Sequence, residues 1–327
     1  MQPHDQRPLT GDDRAELLRA AVAAPSMHNT QPWRFRFVEY GVEVFRDRAR
    51  ELPAEDPDGR MLHLGLGAAA LNLRVAAAHL GYGATVRYVI DPDRPDLVAV
   101  LDLTAVAADA EQLAALYPEL PRRRTNRNPY IDKRVPEDIR HLLTLTAELE
   151  GTGLEWVVDS SRLHWLRMTI ADADLEDGWN EHRTAERRRW VGGERDAEGI
   201  PSSSLGPRPA HRTASVRDMA ATPEDSRRPA ATFEHKPQLA VLSTRREGPA
   251  EWLRAGQAME RVLLEATAHG VATSLLNQAI EHHELRWLVR DPLGAWNRPQ
   301  AVIRFGYGPP VPPTPRRPIA DVLMPDE

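Results

Sequence analysis

From Gly65 to Leu80 the chain reads GLGAAALNLRVAAAHL, small and apolar on nearly every side, and then meets Gly81. A helix of that composition has no polar face to turn to solvent, so it belongs in an interior. A glycine just past its end is a plausible C′ residue. A second stretch is faintly similar. RVAAAHLGYGAT, where this helix ends, compares with LLEATAHGVAT in the second half of the chain. In each, a buried-looking helix stops at a glycine and a turn of small residues follows. Both halves also run in the order helix, strand, helix, strand. The sequence thus predicts an α+β fold of two related halves packed face to face, a fused pseudo-dimer. We place the halves at 1–118 and 119–327.

Local signals fill in the elements. Thr10 to Asp13 has the form of a capping box ahead of AELLRAAVAA, with Leu17, Leu18, Ala21 and Val22 on one face and Pro25 as a stop. WRFRFV alternates, EYG turns and VEVF continues, which predicts a hairpin. Residues 50–60 read as a loop. ATVRYVI and DLVAVLDL are two strands joined by DPDRP, and AEQLAALYPEL is a short amphipathic helix. In the second half, PEDIRHLLTLTAELE predicts a helix, LEWVV a strand, and a helix starts near Ser161. QLAVLS is a strand, EWLRAGQAMERVLLEATAHG a long helix and PQAVIRFGYG a strand. Residues 171–235 differ: they are polar, charged and rich in Gly, Pro and Ser, with GIPSSSLGPRP at their centre. So long a stretch in a compact domain is a lid, an insertion or disorder.

Composition excludes several chemistries. Lys+Arg is 42 and Asp+Glu is 48, a net charge of -6, which gives no reason to expect nucleic acid or a membrane surface as partner. With Cys at 0, disulfides, thiolate metal sites and a thiol nucleophile are ruled out. No metal is expected: His282 and His283 are adjacent and point about 100° apart on a helix, and no HExxH occurs. GxGxxG after a strand, Walker A and GxSxG are absent. The N-terminus, MQPHDQRPLTGDD, has no signal-peptide apolar core, and no apolar run approaches the roughly 20 residues of a membrane span. A soluble, cytoplasmic protein is expected.

The polar motifs each admit two readings. PSMHNTQPWR sets Ser26, Asn29, Thr30 and Gln31 in a proline-bracketed corner. Amides that donate and accept suit a flat heterocycle, or merely satisfy a helix C-terminal turn. RRRTNR at 122–127 suits a phosphate, or is a solvated linker. ERRRW at 186–190 reads as a solvated run. PRRP at 315–318 adds Arg316 or Arg317 to a phosphate, or is a basic tail. GVATSLLNQ at 270–278 brings backbone N–H groups to a ligand edge, or is an ordinary turn after a helix.

Taken together, these pieces resemble the FMN-dependent nitroreductase superfamily, and within it the actinobacterial Acg-type subfamily of single chains with two nitroreductase-like halves. APSMHNTQPWRF, DPDGR with GAAALNLRVAAAHLG, RRRTNR, WLRAGQAMERVLLEATAHGVATSLLNQAIE and PQAVIRFGYG…PTPRRP carry the likeness, in order, along nearly the whole chain outside 171–235. RRRTNR stands where the superfamily has Arg-Arg-Ser-x-Arg, with Thr125 for the serine. The resemblance implies a nitroreductase fold with a lid-like insertion. It implies that Arg123 and Thr125 hold the FMN phosphate, helped by Arg316 or Arg317. It sets Arg127 near the N1–C2=O edge of the ring, and Ser26, Asn29 and Gln31 over the ring or ribityl chain. Leu275, Leu276, Asn277 and Gln278 present backbone groups near N5. Only the second half has the arginine motif, so one FMN per chain is expected, with the second site blocked.

The function so implied is an FMN-dependent oxidoreductase: hydride passes from NADH or NADPH to the flavin, then electrons to a nitroaromatic, quinone or similar small acceptor. The flavin carries the chemistry and no catalytic side chain is required. The alternative is FMN storage, with the insertion sealing the flavin. A monomer or a homodimer fits either reading.

Overall fold

Thr10 caps the first helix through a reciprocal pair: its hydroxyl accepts from Asp13 N–H at 3.1 Å, and the Asp13 carboxylate accepts from Thr10 N–H at 2.9 Å. The structure is a computed structural model that describes residues 8–104, 108–210, 216–220, 225–290, 294 and 296–325. Residues 1–7, part of the leader segment considered above, lie outside them. The first half runs α1 (Gly11–Val22), β1 (Trp33–Val38), β2 (Gly41–Arg46), α2 (Arg60–His79), β3 (Thr85–Tyr88), β4 (Leu97–Asp102) and α3 (Ala110–Ala115). Then come α4 (Glu137–Leu149), β5 (Gly153–Trp156), α5 (Ser160–Trp179), α6 (Glu181–Trp190) and the two-residue strands β6 (Arg208–Pro209) and β7 (Ala230–Ala231). The chain continues with β8 (Gln238–Thr244), α7 (Pro249–Ala268), β9 (Ala272–Leu275), α8 (Gln278–Glu281), α9 (His283–Val289), β10 (Arg298–Gly306) and α10 (Ile319–Val322).

The strands form two antiparallel four-stranded sheets, ordered β1-β2-β4-β3 and β5-β8-β10-β9. Each half therefore repeats helix, strand, strand, helix, strand, strand, and each sheet places its strands in the same order. The glycine signals repeat as well. Gly81 and Gly270 have φ of 85° and 66° after α2 and α7. The next residue donates back to the helix in both: Tyr82 N to Ala77 O and Val271 N to Ala266 O, each 2.8 Å. That is the left-handed closure for which glycine pays no Cβ penalty.

The two long helices cross at the centre, and the crossing is symmetric. A Cβ on Gly67 would lie 2.0 Å from Leu253 O, and one on Gly256 would lie 2.1 Å from Leu64 O. The His63 and Trp252 rings meet beside it at 5.7 Å between centroids. Exchanging α2 for α7 maps these contacts onto each other, so a pseudo-twofold axis passes between the glycines. One apolar core, including Leu66, Leu71, Val262 and Leu264, surrounds this pair. Contrary to the expectation that no run reaches the length of a membrane span, α2 is long and apolar enough, but 89% of its most apolar window is buried inside the protein.

Three parts differ from expectation. The stretch 171–235 opens with ordered helix: α5 runs on to Trp179, and Asn180 Oδ1 caps α6 by accepting from His182 N and Arg183 N, both 3.1 Å. Its lack of apolar periodicity hid this, because α6 is held by charge and not by an apolar stripe. Residues 211–215 and 221–224 of that stretch lie outside the described residues. The turn expected at 270–278 contains a strand, β9, on the edge of the second sheet. Finally, the Pro-rich tail crosses to the first half, where Leu323 bridges Phe35 and Met324 N donates to Phe35 O at 2.7 Å.

Candidate functional site

The corner after α1 is held in an unusual backbone shape. His28, Asn29 and Gln31 have φ of 50°, 56° and 53°. Left-handed non-glycine residues cost about 1 kcal/mol or more each and persist only where surroundings fix them. Here side chains do so. Gln31 N donates to Ser26 Oγ (2.9 Å), Gln31 Nε2 to Ala197 O (2.7 Å), and Asn29 Nδ2 to Gly199 O (2.9 Å) and Pro315 O (3.0 Å). Arg317 N in turn donates to Gln31 Oε1 at 2.9 Å. The amides thus bind the insertion and the tail to the corner.

Two adjoining cavities open beside this corner, sharing Pro25, Ser26, Thr125, Arg127 and Ile200 in their walls. The inner one is mainly apolar. Met61 and Leu64 of α2, Met259 of α7, Leu275 at the end of β9 and Leu276 just after it form its walls, with Ile200 and Met219 from the insertion. The outer one, about 280 Å³, is cationic: Arg123, Arg124, Arg127 and Arg316 reach it, with Ser203, Ser204 and Thr314. RRRTNR is positioned by an added strand contact, Asn126 N to Thr273 O at 2.8 Å, along β9.

The outer cavity carries uncompensated charge. Arg123 and Arg316 both donate to Ala23 O, at 3.2 and 3.1 Å, and Nε of each is buried with no hydrogen-bond partner. Loss of water, reinforced by Arg123, pulls Arg316 down to about 9, and desolvation pulls Arg127 down to about 10. The counter-charge is Glu260 of α7, fully buried, 3.2 Å from Arg123 Nε without a hydrogen bond to it. Burial pushes Glu260 up to about 7, although Arg123 opposes this. Several guanidiniums with orphaned donors around one protonatable carboxylate fit a phosphate dianion. An apolar cavity next door fits a ring system.

The expected residues separate here. Ser26, Thr125, Arg127, Leu275, Leu276, Asn277 and Gln278 line the inner cavity, and Ser26, Asn29, Arg123, Thr125, Arg127 and Arg316 line the outer one. Gln31 and Arg317 line neither. Gln31 is fully buried, and the Arg317 guanidinium is spent on Gln31 O, Asp47 and Asp321 O. Among Leu275, Leu276, Asn277 and Gln278, the Leu276 N–H is taken by Val302 O at 2.9 Å.

Sequence reasoning missed the latch that holds the insertion down. ERRRW, read as solvated, contains buried Glu186 and Arg187. Glu186 accepts from Ala54 N and Glu55 N at 3.1 and 2.9 Å. Arg187 donates to Glu55 (2.9 Å) and Asp177 (2.8 Å), Arg183 to Asp177 (2.6 Å), and Arg217 to Asp177 and to Glu281 (3.0 Å). His28, on the wall of the inner cavity, meets Glu55 at 2.5 Å. Burial would raise Glu55, but His28, Arg217 and Arg187 outweigh it and hold the carboxyl down to about 2. None of this has a local signal, because Glu55 finds its arginine 132 positions away. Glu55→Gln strands buried cations and is expected to cost roughly 3–5 kcal/mol of stability. The sign follows from a lowered folded pKa: the Glu55 contribution is present above its unfolded pKa near 4.5 and is lost as pH falls toward about 2. Thermal melts of both proteins at neutral and acidic pH check this. Equal melting at neutral pH would contradict the latch.

A separate cleft of about 300 Å³ lies between β3 and α7, lined by Tyr88, Arg74, Asp109, Glu150, Arg254 and Gln257 among others. Its charge differs. Arg74 and Arg261 each pair with both Asp109 and Glu150, at 2.6–3.1 Å. Those arginines are already neutralised, so the cleft lacks the free cationic lining of the outer cavity.

No protein-family model matches the chain. Two Mycobacterium tuberculosis proteins, each named "Putative NAD(P)H nitroreductase", are similar to it: Acg, 32% identical over 321 residues and 96% of both chains, and a second, 32% identical over 94% of this chain and 90% of its own. Similar solved structures include a nitroreductase with bound FMN from Bacteroides fragilis (16% identity, 59% of this chain, 87% of that one, TM-score 0.35). Another is a nitroreductase in complex with FMN from Desulfovibrio desulfuricans (14% identity, 65% of this chain, 96% of that one, TM-score 0.38). Identity at the mycobacterial level, spread over nearly the full length of both chains, shows that the chain belongs to the Acg-type family of the nitroreductase superfamily and has its α+β nitroreductase fold.

Proposed function

We propose that the protein is an FMN-binding oxidoreductase of nitroreductase type, taking one FMN per chain and reduced by NADH or NADPH. The observation that carries this is the pairing of a cationic outer cavity, with buried orphaned Nε–H groups on Arg123 and Arg316, and an apolar inner cavity beside it. The relatives' names support it. Bound FMN would accept hydride and pass electrons to a nitroaromatic, quinone or similar acceptor. Arg123, Thr125 and Arg316 would hold the phosphate. Arg127, at the junction of the cavities, would favour an anionic reduced ring. Ser26, Asn29 and Leu275 to Gln278 would line the rest. The halves would divide at about 118/119. Because the α2–α7 crossing lies within one chain, a second copy would not be needed to complete the site.

The second reading, FMN storage, is favoured by one observation. Ile200, Val216 and Met219 of the insertion form walls of the inner cavity, and the buried latch holds that insertion in place. Anaerobic stopped-flow mixing of the flavin-loaded protein with NADPH, then NADH, separates the two. Bleaching of the oxidised flavin by either nucleotide is the result expected of the oxidoreductase. Bleaching by dithionite alone would overturn it in favour of storage, and a protein that takes up no FMN would overturn both.

A further inference from the structure

The chain has 42 cationic side chains, and only Lys133 and Lys236 are lysines. Both stand on one cleft of about 610 Å³ that shares no wall residue with the flavin cavities. The segment 130–134, the end of β5, the start of α5 and the segment 234–238 enclose it. Arg134, Arg140 and Arg167 are also on its walls.

Outside the outer cavity several buried arginines are matched to carboxylates, as Arg183, Arg187 and Arg261 show. Here that matching fails. The carboxylates on the cleft are Asp132 and Glu234. Glu234 is committed to Arg304 at 2.5 and 2.7 Å and to Tyr130 N at 3.2 Å. Among the described residues no ion pair joins Lys133, Arg134, Arg140 or Lys236 to any acid. Arg140 Nε is buried with no hydrogen-bond partner, its guanidinium lying 5.8 Å from the Trp156 ring centroid. The floor is apolar, formed by Trp156 against Phe305 and by Leu239. Charges over such a floor interact more strongly with an anion than charges in open water. An excess of cations gathered in a concave site, on a chain of net charge -6, calls for an anionic occupant.

We propose that this cleft binds a phosphorylated small molecule through a group bearing at least two negative charges, independently of the flavin site. Lysine and arginine together suit it: ammonium groups act as point charges and guanidinium forks bind phosphate oxygens in pairs.

The two lysines make the test selective. In the FMN-loaded protein, where the other phosphate cavity is filled, amine acetylation followed by mass spectrometry reads Lys133 and Lys236 against the α-amino group. Saturating pyrophosphate should slow acetylation of both lysines about fivefold or more, with the α-amino rate unchanged. Protection by pyrophosphate and by ATP alike identifies the phosphate group as the determinant, and protection by ATP alone identifies a nucleotide. Acetylation that responds to neither probe, or that potassium chloride of equal ionic strength slows as much, would overturn the proposal. As a second measurement, Arg134→Ser with Lys236→Ser should weaken calorimetric pyrophosphate binding about tenfold or more while FMN content stays unchanged. Unaltered affinity in that variant would also overturn it.

Discussion

Gly256→Val is expected to lower the unfolding free energy by about 3 kcal/mol or more, one of the largest costs of a single change at the centre of the protein. The reason is geometric. The new Cβ would sit 2.1 Å from Leu64 O and 2.9 Å from Gly67 Cα, both backbone atoms of a helix. No rotamer change relieves such a clash, so the two long helices must move apart, and the core they share opens. Gly67 meets Leu253 O in the same way, at 2.0 Å, so Gly67→Val should behave alike. The two substitutions act on one crossing. Once the first has forced the helices apart, the second should add less than its own single cost. Gly11→Ala serves as the control, because nothing lies within 4 Å of a Cβ there. Urea unfolding of the four variants checks the set. A Gly256 variant as stable as the Gly11 control would show that the crossing is looser than described.

Arg123→Ala together with Arg316→Ala is expected to abolish retention of FMN through dialysis, with riboflavin affinity little changed. Each guanidinium offers charge-assisted hydrogen bonds worth roughly 1.5–3 kcal/mol, so the pair accounts for about a hundredfold or more in dissociation constant. Riboflavin lacks the phosphate and reports on the inner cavity alone. Equal loss of both ligands would point to misfolding, and retention of both would remove the outer cavity from the site. Glu260 adds a pH dependence. Its folded pKa is raised, so the stability it contributes is fully present below its unfolded value near 4.5 and is lost as pH rises through about 7. In the FMN-free protein, Glu260→Gln should therefore flatten the decline in melting temperature over that interval. A phosphate bound beside Glu260 adds negative charge, so wild-type protein should take up protons when FMN binds near pH 7. Calorimetry in buffers of different ionisation heat measures that uptake, and Glu260→Gln should remove it.

How much was readable before folding follows the range of each interaction. The capping box at Thr10, the hairpin of β1 and β2 and the closures at Gly81 and Gly270 are local, and each appears where its residues predicted. The pseudo-twofold arrangement was legible because the same local signals occur twice. RRRTNR was legible as a cationic cluster, and Arg123, Arg124 and Arg127 do reach one cavity, while Arg122 pairs with Glu119. What failed was long-range. Gln31 has the amide expected of a ligand, yet Ala197 and Arg317 occupy it. Arg187 looked solvated beside Arg188 and Arg189, but Glu55 and Asp177 bury it. A charge run has no periodicity to reveal which member turns inward. The strand β9 was hidden for the opposite reason: at four residues it is shorter than the turn signals around it.

The tail that crosses from β10 to β1 sets an order of assembly. Both sheets are complete in sequence at Gly306, whereas Pro315, Arg316 and Arg317 are synthesised later and then reach back to Asn29, Ala23 and Gln31. A chain cut anywhere between those points keeps every strand and both crossing helices, yet it lacks one wall of the outer cavity and the outer tie on the corner. Folding of the sheets and completion of the outer cavity therefore draw on different stretches of the polypeptide, the second waiting on residues more than 280 positions from their partners. If that cavity holds the FMN phosphate as proposed, cofactor uptake would report on chain integrity, because a molecule without its tail would lack part of the wall.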